Sequence, residues 1–548
     1  MSNEIQNYAA NALLTDVSYV GGLIGKDSDE VLAIKLKNST RFHGMANFVT
    51  DVGNHYVVLN QYTDQTDLNG FSATVFQNIA TGEVHFVCRG TEPGIPDLLL
   101  ADGDLAINGA ASDQIVELIN YVKRLEAGKG KQATQYGFVP VPANGTGANA
   151  FSFEFQEIGT AEGVDLVNAS GVKVPFGQVT VAGHSLGGHL AAAFARFFPE
   201  HTDHLYTYNS AGFHWNSEGK FRAFEYGMGK PPGTFANDNV HTNLYAENGI
   251  NVTTNDNVLF TQFGSRVPVF NEEGTLIPNH LIPKSADALA LYDLFARLDP
   301  GLDIGQIDAM LRGASNQMNN TLEKTLQALA KLVLNSDATI GIDDRNTFYN
   351  ALIPLRGFVD EATDATTQVN GTAFVVAPLV GMSASSLAGL ATLNTPTGMA
   401  YRYALQELNP FAIVNSANLY DQHNNNGELD LYDPQTGDGD LTEQYLVDRA
   451  KLLSEINQAN VDDNSPASGV IQIAGDVLYQ DKHSGYKIVG NDLFVSEHKK
   501  ILFGDDEDYP EGAFARPSSH LVDHLYTHNS AGFHQYRVKP ATNCERIA

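Results

Sequence analysis

Cysteine is almost missing from this chain: 548 residues carry only Cys88 and Cys544. Two thiols cannot build a disulfide framework, so packing must hold the fold. Cys88 closes the apolar run 83–88 and reads as a buried core thiol rather than a reactive one. Basic residues are scarce as well, 33 Lys and Arg against 64 Asp and Glu, for a formal charge of -31. That balance excludes a nucleic-acid partner, because phosphate binding needs clustered cations. It also excludes charge-driven docking on an anionic bilayer, so contact with a lipid surface would be apolar or cation-bridged. Long hydrophobic runs are absent too. The stretch 373–393 comes nearest, but Pro378, two glycines and Ser383, Ser385 and Ser386 interrupt it, which predicts a buried segment and no transmembrane span. Residues 1–23 lack a basic region followed by a continuous apolar core, so no N-terminal signal peptide is expected. Secretion by another route is the expected localisation, and cytoplasmic residence also fits.

What is present is a globular composition, 43% hydrophobic and 18% charged, in a chain long enough for two to four domains. Residues 1–300 alternate β-like runs at 73–77, 83–88, 178–182, 204–208 and 243–247 with helical patterns at 113–125, 186–198 and 286–298. This alternation predicts an α/β domain with a mostly parallel sheet. Residues 301–465 read as a helical and loop-rich region. There Met318, Leu322, Leu326, Leu329 and Val333 recur at helical spacing, and 421–441 is rich in Asn, Asp and Gly. Residues 466–548 read as a β-rich part, with hairpins between 470 and 503 broken at 481–485 and 490–492. This last part also carries a duplication: 193–196, 203–207 and 209–214 recur as 513–516, 523–527 and 529–534 at one fixed offset. The copy omits residues 183–187, and a repeat fold would need several copies.

The segment Gly183-His-Ser-Leu-Gly187 lies between an apolar strand and an alanine-rich helical run. A G-x-S-x-G sequence in that setting makes a tight strand-to-helix turn. The flanking glycines are required because a Cβ there would strike the strand or the helix. Ser185 is thus the candidate nucleophile. The helix N-terminus behind it supplies partial positive charge, and the N–H of Leu186 is a candidate oxyanion donor. A serine nucleophile needs a base and an acid, here expected later in the chain. His280, on a loop before a helix with Ser285 as its N-cap, is the candidate base. His184 and His189 lie too close to the serine in sequence and are expected to pack or hydrogen-bond locally. The acid should close the strand at 243–247, which offers Glu247, or lie on the following loop, which offers Asp256. Thr91, after the strand 83–88, is the candidate second oxyanion donor. The run 98–101, framed by Pro93, Gly94 and Pro96, is a candidate lid or an ordinary core helix turn.

Taken together, Arg89-Gly-Thr91, Gly183-His-Ser-Leu-Gly-Gly188, and Asn279-His280 ahead of Asp287-Ala-Leu-Ala-Leu-Tyr292 resemble the class-three lipases. More closely, they resemble bacterial extracellular phospholipases A and lipases with calcium-binding repeats-in-toxin tails. The resemblance covers about residues 1–300. It implies an α/β-hydrolase fold, a Ser–His–acid triad, a lid after the oxyanion strand, and hydrolysis of long-chain acyl esters such as the sn-1 ester of a phospholipid. It assigns Ser185, His280 and Thr91 the nucleophile, base and oxyanion roles. The implied partner is a lipid or phospholipid at a membrane or micelle surface, with an accessory protein conceivable. Such chemistry requires no cofactor, and calcium is a possible ligand; its metal residues are unknown. Two departures stand out. The family places an Asp in a Glu-Asn-Asp-like turn where this chain reads Glu247-Asn-Gly249, which leaves Glu247 and Asp256 both open. The tail lacks true Gly-Gly-x-Gly-x-Asp repeats, with 503–508 at most a remnant. The competing reading is a non-catalytic lipid- or cell-surface-binding protein on an inactive hydrolase fold.

Overall fold

The structure is a computed structural model. It describes residues 2–23, 30–63, 70–90, 111–142, 151–168, 170–214, 216–246, 260–271, 279–314, 321–363, 374–416, 418–461, 470–473, 476–480, 488–490 and 493–495. Thr91, the run 98–101, Glu247, Asp256, the stretch 503–508 and the duplicated segment 513–534 lie outside the described residues. The chain divides into two compact units, one of residues 7–289 and one of residues 1–6 with 290–548.

The first unit is built on a seven-stranded sheet of β1 (Tyr56–Thr63), β2 (Ser72–Asn78), β3 (Val84–Cys88), β4 (Val179–His184), β5 (Thr202–Tyr208), β6 (His241–Ala246) and β7 (Ser265–Val269). Their order in the sheet is their order in the chain. Strands β3 to β7 pair in parallel, and only the pairings of β2 with β1 and β3 are antiparallel. Every residue of β4 is buried, as expected of a central strand covered on both faces. On one face, α2 (Ser112–Ala127), α3 (Leu186–Phe197) and α4 (Ser217–Gly227) share a core with the sheet through Ile119, Leu190, Phe194 and Phe224, against Phe86, Val181 and Leu205. On the other face lies α1 (Ser2–Val17). The Tyr208 hydroxyl donates to the Tyr8 carbonyl at 2.7 Å, and His85 Nδ1 lies 3.0 Å from Asn11 Oδ1. The side chains of His85 and Phe86 point to opposite faces, as the two-residue period of a strand requires. A mostly parallel sheet covered on both faces, with a serine turn at the end of its central strand, is the α/β-hydrolase fold.

Five of the expected strands and three of the expected helices are present, each within a few residues of its predicted bounds. Two strands of the sheet, β1 and β7, were not expected from the sequence. Pro268 interrupts the β-like pattern of β7, and it is tolerated because β7 is an edge strand that leaves one side of its backbone unpaired. A long hairpin of Gln132–Pro142 against Phe151–Glu162 also stands outside the sheet. The expected helix cap fails. Ser285 does not cap a helix: the helix α5 (Ile282–Leu298) begins three residues earlier, with Pro283 in its first turn, where a missing N–H costs nothing.

In the second unit, helices Ile304–Ala314, Thr321–Leu334, Arg345–Thr363, Pro396–Glu407 and Glu443–Val461 dominate. The described part of the stretch 373–393 holds the short strand Val376–Pro378 followed by the helix Ala384–Ala391. No described helix is long and apolar enough to cross a membrane. Antiparallel pairs Val470–Ile473 with Asp476–Gln480, and Ile488–Gly490 with Leu493–Val495, form two short hairpins.

Candidate active site

Because β3 to β7 run in parallel, their C-terminal ends meet at one edge of the sheet, where ligands bind in α/β folds. Cys88 pairs with Gly183, and His184 with Tyr208, so three strand ends arrive level with one another. Ser185 follows β4 directly and has φ 56° and ψ −125°, a conformation that L-residues avoid. Such strain costs on the order of 1–3 kcal/mol and persists only where the surroundings enforce it. Here they do. Ser185 N–H donates to the Tyr208 carbonyl at 3.0 Å, and the Ser185 carbonyl accepts from Gly188 and Ala211 at 3.0 and 3.1 Å. A Cβ on Gly183 would lie 2.2 Å from the Gly187 carbonyl oxygen, and one on Gly187 would lie 2.3 Å from that of Cys88. The motif glycines thus let α3 close on the ends of β3 and β4.

The turn leaves Ser185 only partly buried and sets it at the mouth of α3. The Ser185 hydroxyl lies 2.9 Å from His280 Nε2, so the structure brings together two residues 95 positions apart. Burial lowers the His280 pKa to about 4, which keeps the imidazole neutral and able to accept a proton. Its Nδ1 is buried and has no hydrogen-bond partner among the described residues. That is the position an orienting carboxylate takes in a Ser–His–acid triad. Leu186, the first residue of α3, has an N–H with no carbonyl one turn back to receive it. Its side chain packs on Ala211.

Three further residues support the pair, and of these the sequence singles out only His184. His184 Nε2 lies 2.6 Å from the main-chain oxygen of His280, and its Nδ1 lies 2.9 Å from the Tyr19 hydroxyl. His184 therefore bonds to distant segments rather than to its chain neighbours. Asn209, at the end of β5 with φ 44°, donates from Nδ2 to the His280 carbonyl at 3.1 Å. Burial holds the Tyr19 hydroxyl well above its usual pKa, so it stays protonated. The only available signal was the position of Asn209 straight after an apolar strand. His189 stacks on Phe213 with ring centroids 4.1 Å apart, and burial lowers its pKa to about 4.

A divalent cation finds no cradle among the described residues. Glu126, Glu200 and His201 lie near one another, but Lys123 and Lys230 already pair with the two carboxylates at 2.8 and 2.9 Å. Both ring nitrogens of His201 are engaged as well. In the loop 421–441, Asp433 accepts from the Gln435 N–H and Asp430 from Asn424, so these carboxylates tie turns.

No protein-family model and no curated protein matches the chain. Among solved structures, the Lip2 lipase of Yarrowia lipolytica is similar at 12% identity and a TM-score of 0.25, over 48% of this chain and 79% of that one. A deletion mutant of Rhizomucor miehei lipase in a propeptide complex is similar at 14% identity and a TM-score of 0.24, over 50% and 68%. Neither likeness bears on chemistry, which rests on the geometry of Ser185 and His280.

Proposed function

We propose that the protein hydrolyses carboxylic esters of lipids through an acyl-enzyme on Ser185. The observation that carries this reading is the 2.9 Å separation of the Ser185 hydroxyl from a buried, neutral His280. In the first half-reaction Ser185 Oγ attacks the ester carbonyl while its proton passes to His280 Nε2. The N–H of Leu186, with Thr91 as second donor, stabilises the oxyanion. The imidazolium then protonates the leaving alcohol. In the second half-reaction His280 deprotonates a water that attacks the acyl-enzyme, which releases the fatty acid and restores Ser185. Glu247 or Asp256 is the acid on His280 Nδ1. A phospholipid sn-1 ester and a triglyceride both fit this chemistry, with the run 98–101 as the lid that meets the lipid surface. No cofactor enters the reaction, and a calcium ion would serve structure or surface contact only.

A fluorophosphonate probe tests the reading directly, since it phosphonylates only an activated serine. Stoichiometric labelling of Ser185, lost in Ser185→Ala, is the expected result. An intact, unlabelled wild-type protein would instead favour the inactive, lipid-binding alternative.

A further inference from the structure

We propose that Asn209 is a positioning residue that holds the main chain of His280 against the end of β6 and so sets the reach of the imidazole to Ser185. This rests on the reading of Ser185 and His280 as the reacting pair. Asn209 is 2% exposed and uses both ends of its amide. Oδ1 accepts from the Ala246 N–H at 2.8 Å, and Nδ2 donates to the His280 carbonyl at 3.1 Å. The partners fix which way the amide points, because an N–H can only donate and a carbonyl can only accept. Nδ2 also lies 3.4 Å from the Asn279 carbonyl and 3.5 Å from Ser285 Oγ, so it is centred on the turn that presents the base.

The backbone of Asn209 contributes as much as its side chain. Its N–H donates to the Leu244 carbonyl at 2.9 Å, which carries the β5–β6 ladder one residue past Tyr208. The φ of 44° then turns the chain away from the sheet and aims the side chain across the strand ends. Asn tolerates this left-handed conformation better than most residues and offers both donor and acceptor on a short stem. One amide thus joins three segments: the end of β5, the end of β6, and the turn before α5. Ala246 is followed directly by Glu247, an acid candidate, so the same amide fixes the strand end from which that acid would emerge. Displacement of a reacting group by about 1 Å can cost on the order of 100-fold in rate, so loss of this tie should appear in turnover rather than in binding.

The test compares Asn209→Asp and Asn209→Gly with wild type on p-nitrophenyl butyrate, with thermal melts to confirm folding. The Asp variant keeps the acceptor for Ala246 and faces an oxygen to the His280 carbonyl. The Gly variant keeps the left-handed backbone and removes the side chain. Both should lower kcat by about 10- to 100-fold with KM changed less than about threefold, and should slow fluorophosphonate labelling in parallel. If Gly fails to fold, the isosteric Asp variant decides alone. A kcat within about twofold of wild type in a folded variant, even with a lowered Tm, overturns the proposal and leaves Asn209 a packing residue. Failure of the underlying reading shows elsewhere, as undiminished hydrolysis by Ser185→Ala.

Discussion

The ring of His184 is bonded to the main chain of His280, Nε2 to carbonyl oxygen, at 2.6 Å. The residue before Ser185 therefore holds the residue whose ring reaches Ser185. A carbonyl only accepts, so Nε2 carries the proton and Nδ1 accepts from the Tyr19 hydroxyl at 2.9 Å. Burial, and then the neighbouring His280, push the His184 pKa well below its ordinary value, which preserves this tautomer. Tyr19→Phe strands a buried acceptor and should cost about 1–3 kcal/mol in urea unfolding. Its effect on kcat should be far smaller than that of Ser185→Ala. An unchanged unfolding midpoint would place the Tyr19 hydroxyl outside the network.

Ser185→Ala and His280→Ala should each reduce ester hydrolysis by several orders of magnitude, on the order of a million-fold in the best-studied serine hydrolases. Both groups act in one proton transfer, so the double variant should be scarcely slower than either single. Multiplying losses would remove His280 from the role of base.

The acid can be identified from the pH profile. Burial alone takes His280 to about 4, whereas an ionised carboxylate on Nδ1 favours the imidazolium and raises that value. The acid limb of kcat/KM in the wild type should therefore lie above pH 4. In Glu247→Gln or Asp256→Asn, whichever removes the acid, the limb should move down as the rate falls by about 10⁴-fold. Equal and mild effects of the two substitutions would exclude both residues.

Stability should depend on pH through the buried histidines. Burial lowers His189 to about 4, His280 to about 4 and His241 to about 3, and lowers His85 and His184 as well. Between those values and the ordinary 6.5 the unfolded chain binds more protons than the folded one. The folded state thus keeps its full stability above pH 6.5 and loses it as pH falls toward 4, by up to about 1.4 kcal/mol per pH unit for each such group. His201, which Glu126 holds above its ordinary value, contributes in the opposite direction. Thermal melts at about pH 8, 6 and 5 should show a falling Tm. A flat profile would mean that these rings are solvated.

Two glycines should respond in opposite ways to the same substitution. Gly187→Ala drives a Cβ into the Cys88 carbonyl, where only backbone can yield, so the variant should unfold or lose most of its stability. Gly219, in α4, has nothing within 4 Å of its missing Cβ. Gly219→Ala should stabilise by about 0.5–1 kcal/mol, because alanine loses less entropy in a helix. A tolerated Gly187→Ala would contradict the tight closure of the serine turn.

What the sequence disclosed follows from how local each signal is. The serine turn was legible because glycine, serine and the flanking strand and helix lie within a few residues of one another. His280 was legible as a histidine ahead of a helix, although Pro283 moves the helix start and takes Ser285 off its cap. The long hairpin was obscured by Pro140 and Pro142, which argue against a strand yet are tolerated in a two-stranded ribbon away from the sheet. The partners of Asn209 and Tyr19 could not be read. Their meaning comes from partners 71 and 165 positions away, and nothing in the residues beside them encodes those distances.

The order of strands in the sheet has a consequence for synthesis. Each strand lies beside its neighbours in the chain, so the sheet can be laid down strand after strand as the polypeptide leaves the ribosome. Ser185 is made directly after β4, and the chain must grow by 95 residues more before His280 exists. Until then the emerging protein carries Ser185 without the histidine that reaches it. On the proposed chemistry, growth itself would withhold reactivity until the last part of the first unit has been translated.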